Sequence, residues 1–100
     1  FVYALDCECD RETFLRLSKF AYGSNLMVWD SYFIEEDFKK GWGHSTWKQG
    51  IEIGREANIE HVLMAHYNSG YTDTILCGQE KIACEDKTCI FSKEGMKLRI

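Results

Sequence analysis

Four polar residues stand where a chain of this kind could do chemistry on a ligand. Asp6, Asp30 and His66 follow the apolar runs "FVYAL", "NLMVW" and "HVLMA", each of which favours a β-strand. In open α/β sheets ligands bind outside the carboxyl ends of the strands, so these side chains are expected at one edge. His44, in the loop "GWGHST" just before a helix start, reaches the same edge. Carboxylates and imidazoles gathered there predict a metal site with a proton donor beside it.

Each residue also has a structural interpretation that the sequence leaves open. Asp6 and Asp30 could cap helices or bond turns, which is the common role of aspartates at strand ends. His66 fits a satisfied structural histidine as well as a ligand, and His44 fits a surface residue of a helix-entry loop. His61 opens its strand and is expected on the surface. The prediction therefore rests on the clustering of the four residues.

Alternating strands and helices must position the cluster. The patterns predict strands at 1–5, 25–30 and 61–65, helices at 10–22 and 46–58, and a third helix from residue 72 or 73. "TCIF" and "MKLRI" around "SKEG" predict a closing hairpin. The first helix is expected to bury one face made of Phe14, Leu17, Phe20 and Ala21. The order β-α-β-α-β-α-β-β predicts an α/β fold, one sheet with helices on one face.

The totals describe one ordinary globular domain, residues 1–100. The chain is 45% apolar and 28% charged with a net charge of −4, so it has no basic footprint for nucleic acid or an anionic membrane. It has neither an apolar run near the ~18 residues of a membrane helix nor a secretory leader, which predicts a cytoplasmic protein. The opening "FVYALDCE" reads as the middle of a strand and predicts a fragment whose earlier part is missing.

The strands are apolar at successive positions, so both faces of the sheet should be covered. The helices cover one face, and 100 residues offer little for the other. The second layer is expected to come from another copy of the chain or from the missing segment.

Five cysteines, at positions 7, 9, 77, 84 and 89, favour reduced thiols because their number is odd and no leader precedes them. Only Cys7 and Cys9 are closely spaced, which is too few for the paired knuckles of a zinc ribbon. A small structural zinc protein that uses Cys7, Cys9, His44 and His66 remains an alternative.

Three segments together resemble a known fold. "YALDCE" (3–8), "LMVWDSYFIEEDFKKGWGHSTW" (26–47) and "IEHVLMAHYNSGYTD" (59–73) are similar to the second half of the metallo-β-lactamase fold, and "FSKEGMKLRI" (91–100) is similar to its last hairpin. The resemblance is strongest to the branch that contains ribonuclease Z and related phosphodiesterases. The "GWGHST" block is the most specific of these motifs.

The resemblance implies a role for each residue of the cluster. Asp6 matches the aspartate that bridges two metal ions, and His66 matches a histidine that binds one of them. His44 matches a histidine that orients the scissile phosphate or protonates the leaving group. Asp30 matches an acidic residue that faces this histidine and fixes its tautomer. The complete protein would hold two divalent ions, with zinc favoured and manganese or iron as alternatives.

The same resemblance explains the loop. Gly41 and Gly43 permit a tight bend that presents His44 at the metal edge, while Trp42 and Trp47 are expected to pack the loop.

Two departures limit what this chain can do. The first-half motif H-x-H-x-D-H is absent, and Asp6 and His66 alone are too few ligands for tight metal binding. The chain by itself is therefore expected to be inactive and to hold no metal or a partial site. "HYN" (66–68) stands where many relatives have two histidines and an aspartate, which would alter substrate contacts.

The sequence thus predicts the C-terminal half of a metallo-β-lactamase αββα sandwich from a phosphodiesterase acting on a small substrate. The expected partner of the uncovered sheet face is a second copy, in a homodimer, or the missing N-terminal half. The acidic balance disfavours nucleic acid, and no membrane contact is expected. A non-catalytic dimerisation module is an alternative, and within the enzyme class a thioesterase or lactonase activity stays open.

Overall fold

The computed structural model describes residues 1–98, which form one parallel sheet flanked by helices. The elements are β1 (Val2–Ala4), α1 (Arg11–Phe20), β2 (Leu26–Asp30), a 3-10 helix (Glu35–Asp37), α2 (Trp47–Glu56), β3 (His61–Ala65), α3 (Asp73–Ala83) and β4 (Cys89–Phe91). The strands pair in the order β1-β2-β3-β4, and every pair is parallel. Because crossovers between parallel strands are right-handed, this sequential order puts the helices on one face. The predicted α/β architecture is confirmed.

The end of the chain differs from the predicted hairpin. Residues 93–96 do form a turn, in which Gly95 has a φ of 75° and the Met96 amide donates to the Lys93 carbonyl. However, β4 runs parallel to β3, and residues 96–98 form no strand. The predicted last strand, residues 96–100, otherwise lies outside the described residues.

The hydrophobic core lies between the sheet and the helices. Alternate residues of the four strands belong to it: Val2, Ala4, Met27, Trp29, Val62, Met64, Cys89 and Phe91. Helix α2 approaches this face closely at two glycines. A Cβ at Gly50 would lie 2.5 Å from Trp29 Cδ1, and one at Gly54 would lie 2.7 Å from Val62 Cγ2. No larger residue fits there without a shift of the helix.

The predicted helix starts are present. Thr46 and Gln49 form a capping box, in which the Gln49 amide donates to Thr46 Oγ1 at 3.3 Å and the Thr46 amide donates to Gln49 Oε1 at 3.1 Å. Trp29 Nε1 donates to the Thr46 carbonyl at 2.8 Å, which fixes this helix start against β2. Asp10 and Thr72 cap the other two helices. The helix that follows His44 is therefore held at its first turn.

One prediction about α1 is wrong. Phe14, Leu17 and Ala21 pack on the core, but Phe20 is 78% exposed. Successive residues of a helix are turned by about 100°, so Phe20 lies that far from Ala21 and points away from the buried stripe.

The second face of the sheet carries an apolar row in register across the four strands. Tyr3, Val28, Leu63 and Ile90 are direct neighbours in this row. Tyr3 is 67% exposed, and Phe1, which stacks on it, is 73% exposed. We call this surface, Phe1 together with the Tyr3–Val28–Leu63–Ile90 row, the outer face. The helices of this chain lie on the other side of the sheet. Val28 is nevertheless only 5% exposed and Leu63 and Ile90 are half-buried, so the open part of the outer face is its β1 end, Phe1 and Tyr3.

Within residues 1–98, no helix combines the length and the apolar character needed to cross a membrane.

Candidate active site

The predicted cluster lies at the carboxyl edge of the sheet. Asp30 is the last residue of β2, His66 directly follows β3, and Asp6 is the second residue after β1. His66 Nδ1 lies 3.7 Å from Asp6 Oδ1 and 3.4 Å from Asp30 Oδ2. Three parallel strands thus deliver three polar side chains to one point, as the strand ends of an open α/β sheet should.

Two of these residues have an unusual backbone. Asp6 has a φ of 52° and His66 a φ of 60°, in the left-handed region that side chains other than glycine rarely adopt. Such conformations each cost on the order of 1–3 kcal/mol and concentrate at functional sites. Here they turn the chain sharply after β1 and β3, so that both side chains return to the same edge.

Asp30 is a buried carboxylate whose oxygens are already bonded. Its side chain has no exposed surface. Oδ2 accepts from the Cys7 amide at 3.2 Å and from His44 Nδ1 at 3.0 Å, while Oδ1 accepts from the Tyr32 amide at 3.1 Å. Donors from three segments therefore converge on Asp30. A carboxylate is tolerated in this buried position because both of its oxygens accept hydrogen bonds.

His44 faces Asp30 and is only partly covered, with 21% of its side chain exposed. Because an ionised carboxylate can only accept, the His44 Nδ1 must carry the proton of the contact, which leaves Nε2 for other partners. Tyr32 stacks on the imidazole with ring centroids 4.3 Å apart and an interplanar angle of 26°. Sequence reasoning did not identify Tyr32, although its position two residues after Asp30 was a possible signal.

The loop before His44 bends as predicted, but one of its tryptophans does not pack. Gly41 and Gly43 have φ values of 88° and 79°, which glycine adopts without strain. Trp47 packs beside Phe91 and donates to Gln79 Oε1 at 2.8 Å. Trp42 is 62% exposed, so the prediction that it packs the loop is wrong. The Trp42 ring instead lies against the Lys39 ammonium, which is 4.4 Å from the ring centre.

Polar bonds hold this loop against the segment after β1. Ser45 Oγ donates to the Cys7 carbonyl and accepts from the Cys9 amide at 3.0 Å. Glu8 Oε1 accepts from the amides of Gly41 at 2.6 Å and Gly43 at 3.2 Å. Glu8 is a second residue that sequence reasoning missed.

Metal-binding atom types come close together in the cluster. One ligand atom each from Asp6, Asp30, His44 and His66 can be chosen so that all lie within 4.8 Å of one another. Asp30 and His44 already bond each other, whereas Asp6 is 78% exposed at its side chain and His66 37%. Asp6 and His66 are therefore the more accessible members of the cluster, although His66 Nδ1 also lies 3.4 Å from Asp30 Oδ2. A carboxylate and an imidazole are ligand types that bind zinc and similar ions.

The arrangement does not favour the structural zinc alternative. Among the described residues, the candidate metal group contains no cysteine. Burial raises the pKa of the Cys9 thiol to about 12 and also raises the pKa of Cys7, and neither thiol belongs to the group in which His44 and His66 meet.

The side chains of Tyr67 and Asn68, in the "HYN" segment, both make contacts within the fold. Tyr67 stacks on Phe91 and donates to the Met64 carbonyl at 2.8 Å. Burial raises the pKa of its phenol to about 12. Asn68 Oδ1 accepts from the Gly70 amide at 2.9 Å and shapes a turn. That these two residues alter substrate contacts stays a prediction.

A four-stranded parallel sheet with helices on one face and a carboxylate–imidazole cluster at its carboxyl edge is compatible with one half of a metallo-β-lactamase sandwich. No protein-family model matches the chain. Comparison with curated proteins finds ribonuclease Z of Picrophilus torridus, 33% identical over 94 residues, which is 91% of this chain and 30% of that protein. Ribonuclease Z of Halalkalibacterium halodurans is 33% identical over 61 residues, 57% of this chain and 19% of that protein. Ribonuclease Z of Porphyromonas gingivalis is 38% identical over 53 residues, 51% of this chain and 17% of that protein.

These similarities confirm the resemblance predicted from the sequence: the chain is similar to part of ribonuclease Z, a protein of the metallo-β-lactamase type. The chain spans less than a third of the length of these relatives.

Proposed function

We propose that this chain, as a single domain of residues 1–100, is the C-terminal half of a metallo-β-lactamase-type hydrolase that cleaves a phosphodiester. The observation that carries the proposal is the meeting of two acid–imidazole pairs at one edge. Asp30 and His44 are 3.0 Å apart, and Asp6 and His66 are 3.7 Å apart, beside them. The similarity to ribonucleases Z over this region supports the same conclusion.

Asp6 and His66 are the residues that would hold metal. Divalent ions bound there, zinc in the first instance, would act as Lewis acids on the phosphate and activate the attacking water. Catalytic zinc sites use about three protein ligands, so the remaining ligands must come from outside these 100 residues. The chain alone is accordingly inactive.

His44 supplies the proton for the leaving group. The buried carboxylate of Asp30 holds Nδ1–H and stabilises the imidazolium, so that Nε2–H is free to point at the substrate. When the bond between phosphorus and the leaving oxygen breaks, the electron pair stays on that oxygen, which takes the proton from Nε2. His44 is left as a neutral imidazole, and Asp30 remains a carboxylate throughout.

Hydrolysis of bis-p-nitrophenyl phosphate with added zinc or manganese tests this proposal. We expect no turnover by the chain alone. The longer parent protein should show turnover that Asp6→Ala removes and Glu12→Ala, on the exposed surface of α1, leaves intact. Robust turnover by the chain alone, abolished by Asp6→Ala, would show that the active centre is complete within it. Turnover of thioester or lactone substrates but not of the diester would change the substrate class.

A second candidate function is a non-catalytic association module, and the outer face favours it. An apolar row with Tyr3 and Phe1 largely exposed is a surface suited to packing on another sheet. We propose that it packs on a second copy of the chain or on the N-terminal half of the same domain. In the module alternative, His44→Ala would leave every activity of the parent protein unchanged.

A further inference from the structure

The loop that carries His44 has little hydrophobic anchoring. Trp42 is 62% exposed, and Lys39 and Lys40 beside it are exposed as well. The lysine ammonium of Lys39 lies 4.4 Å from the centre of the Trp42 ring, so these two side chains pack on each other and not on the core. The exposed part of the loop, residues 39–43, must therefore be fixed by something other than burial, whereas Ser45 and Thr46 after His44 are fully buried.

Glu8 anchors this loop by hydrogen bonds. Its Oε1 accepts from two amides of the same loop, Gly41 at 2.6 Å and Gly43 at 3.2 Å. Hydrogen bonds to an ionised acceptor are stronger than those between neutral groups. The two glycines have left-handed φ values, which turn their amides toward one carboxylate in the manner of a backbone anion nest. Gly43 directly precedes His44, so its amide is one peptide unit from the imidazole-bearing residue.

Among the described residues, Glu8 is not part of the four-residue cluster of Asp6, Asp30, His44 and His66. It lies on the same short segment as Asp6, however, two residues further along. Ser45 bonds that segment from the other side of His44, through the Cys7 carbonyl and the Cys9 amide. His44 is thus tied on both sides to the segment that carries Asp6.

We propose that Glu8 is a positioning residue for His44: its carboxylate fixes the Gly41–Gly43 bend and thereby the distance between His44 and the metal-binding edge. The proposal rests on the proposed function in that His44 is taken as the proton donor. A misplacement of about 1 Å in a reacting group can cost on the order of 100-fold in rate.

The first test uses the chain itself and needs no activity. With ¹⁵N-labelled histidine, the His44 Nδ1–H that bonds buried Asp30 should give a protected NMR signal, assigned by its loss in His44→Ala. We expect Glu8→Ala to broaden or lose the signal, Glu8→Gln to keep it because the amide oxygen still accepts, and Glu12→Ala to keep it. If Glu8→Ala does not fold, Glu8→Asp, whose carboxylate is one methylene shorter, takes its place. An unchanged His44 signal in the folded variant overturns the inference.

The second test uses the longer parent protein and two diesters, one with a p-nitrophenyl leaving group and one with an alkyl leaving group. Only the alkoxide needs a proton as it departs, so loss of a proton donor slows the alkyl diester selectively. We expect Glu8→Ala to lower kcat for the alkyl diester by about 10–100-fold and to change the p-nitrophenyl reaction little, with KM unaltered and Glu8→Gln close to wild type.

Equal losses on both diesters would mean that Glu8 only stabilises the fold, which overturns the inference. If His44→Ala itself shows no selectivity for the alkyl diester, the proton-donor assignment fails, and the histidine NMR signal alone decides whether Glu8 positions His44.

Discussion

His44 Nδ1 lies 3.0 Å from Oδ2 of Asp30, a carboxylate whose side chain has no exposed surface. The same carboxylate accepts from the amides of Cys7 and Tyr32, so it joins the segment after β1, the end of β2 and the histidine loop. One side chain therefore determines both the local fold and the tautomer of the proposed proton donor.

Asp30→Asn should destabilise the chain because an amide offers one acceptor oxygen where the carboxylate offers two. The NH2 group of the introduced side-chain amide would face a backbone N–H group, either that of Cys7 or that of Tyr32. Leaving a buried donor unsatisfied costs about 1–3 kcal/mol, so we expect the free energy of unfolding in urea to fall by that amount. Glu36→Gln, which alters an exposed carboxylate of the 3-10 helix, should have little effect. Equal effects of the two changes would contradict the role given to Asp30.

Substitution by alanine should have opposite effects at two glycines, one in α2 close to the sheet and one in α3 with open space around it. Gly50→Ala puts a Cβ 2.5 Å from the Trp29 ring and should destabilise the chain by about 1–3 kcal/mol through overpacking. Gly78→Ala in α3 meets nothing within 4 Å and should stabilise by about 0.5–1 kcal/mol through helix propensity. Thermal or urea unfolding of both variants gives the comparison, and destabilisation by Gly78→Ala would contradict it.

Stability should fall in alkaline solution. Burial, with smaller contributions from Cys84, raises the pKa of the Cys89 thiol from 9.0 to about 12. A raised folded-state pKa means that the folded protein keeps a proton that the unfolded chain releases, so this contribution is complete below about pH 9 and is lost toward pH 12. Unfolding free energies measured between pH 8 and 11 should decline less steeply in Cys89→Ala than in the exposed-cysteine control Cys77→Ala. Identical slopes in the two variants would contradict this account.

Association through the outer face can be tested with two matched tyrosines. Tyr3 is 67% exposed on the outer face, and Tyr22 is 69% exposed just beyond the end of α1. We expect light scattering to find a dimer at micromolar concentration, Tyr3→Glu to shift it to monomer, and Tyr22→Glu to leave it unchanged. A wild-type monomer that binds no apolar dye would argue against this surface as a site of association.

The sequence carried enough information for the strand ends and the helix caps. Asp6, Asp30 and His66 each follow an uninterrupted apolar run, and Thr46 with Gln49 has the spacing of a capping box, so local pattern sufficed. The ribonuclease Z-like motifs added roles that spacing alone left open.

Contacts between distant segments could not be predicted in this way. Glu8 meets Gly41 across 33 positions of the chain, through a loop whose bend depends on two left-handed glycines. Tyr32 stacks on His44 only because both residues reach Asp30 from different elements. The exposure of Phe20 and Trp42 shows the converse: an aromatic residue near an apolar stripe is not necessarily part of it.

The central claim is that Asp6 and His66 hold a cation together, and paramagnetic broadening by Mn²⁺ tests it most directly on this chain. We expect the NMR signals of Asp6, His66 and their neighbours to broaden first, and Asp6→Asn to abolish that effect while Glu12→Gln preserves it. Broadening centred elsewhere, for example on the acidic 3-10 helix Glu35–Asp37, and indifferent to Asp6→Asn would contradict the claim.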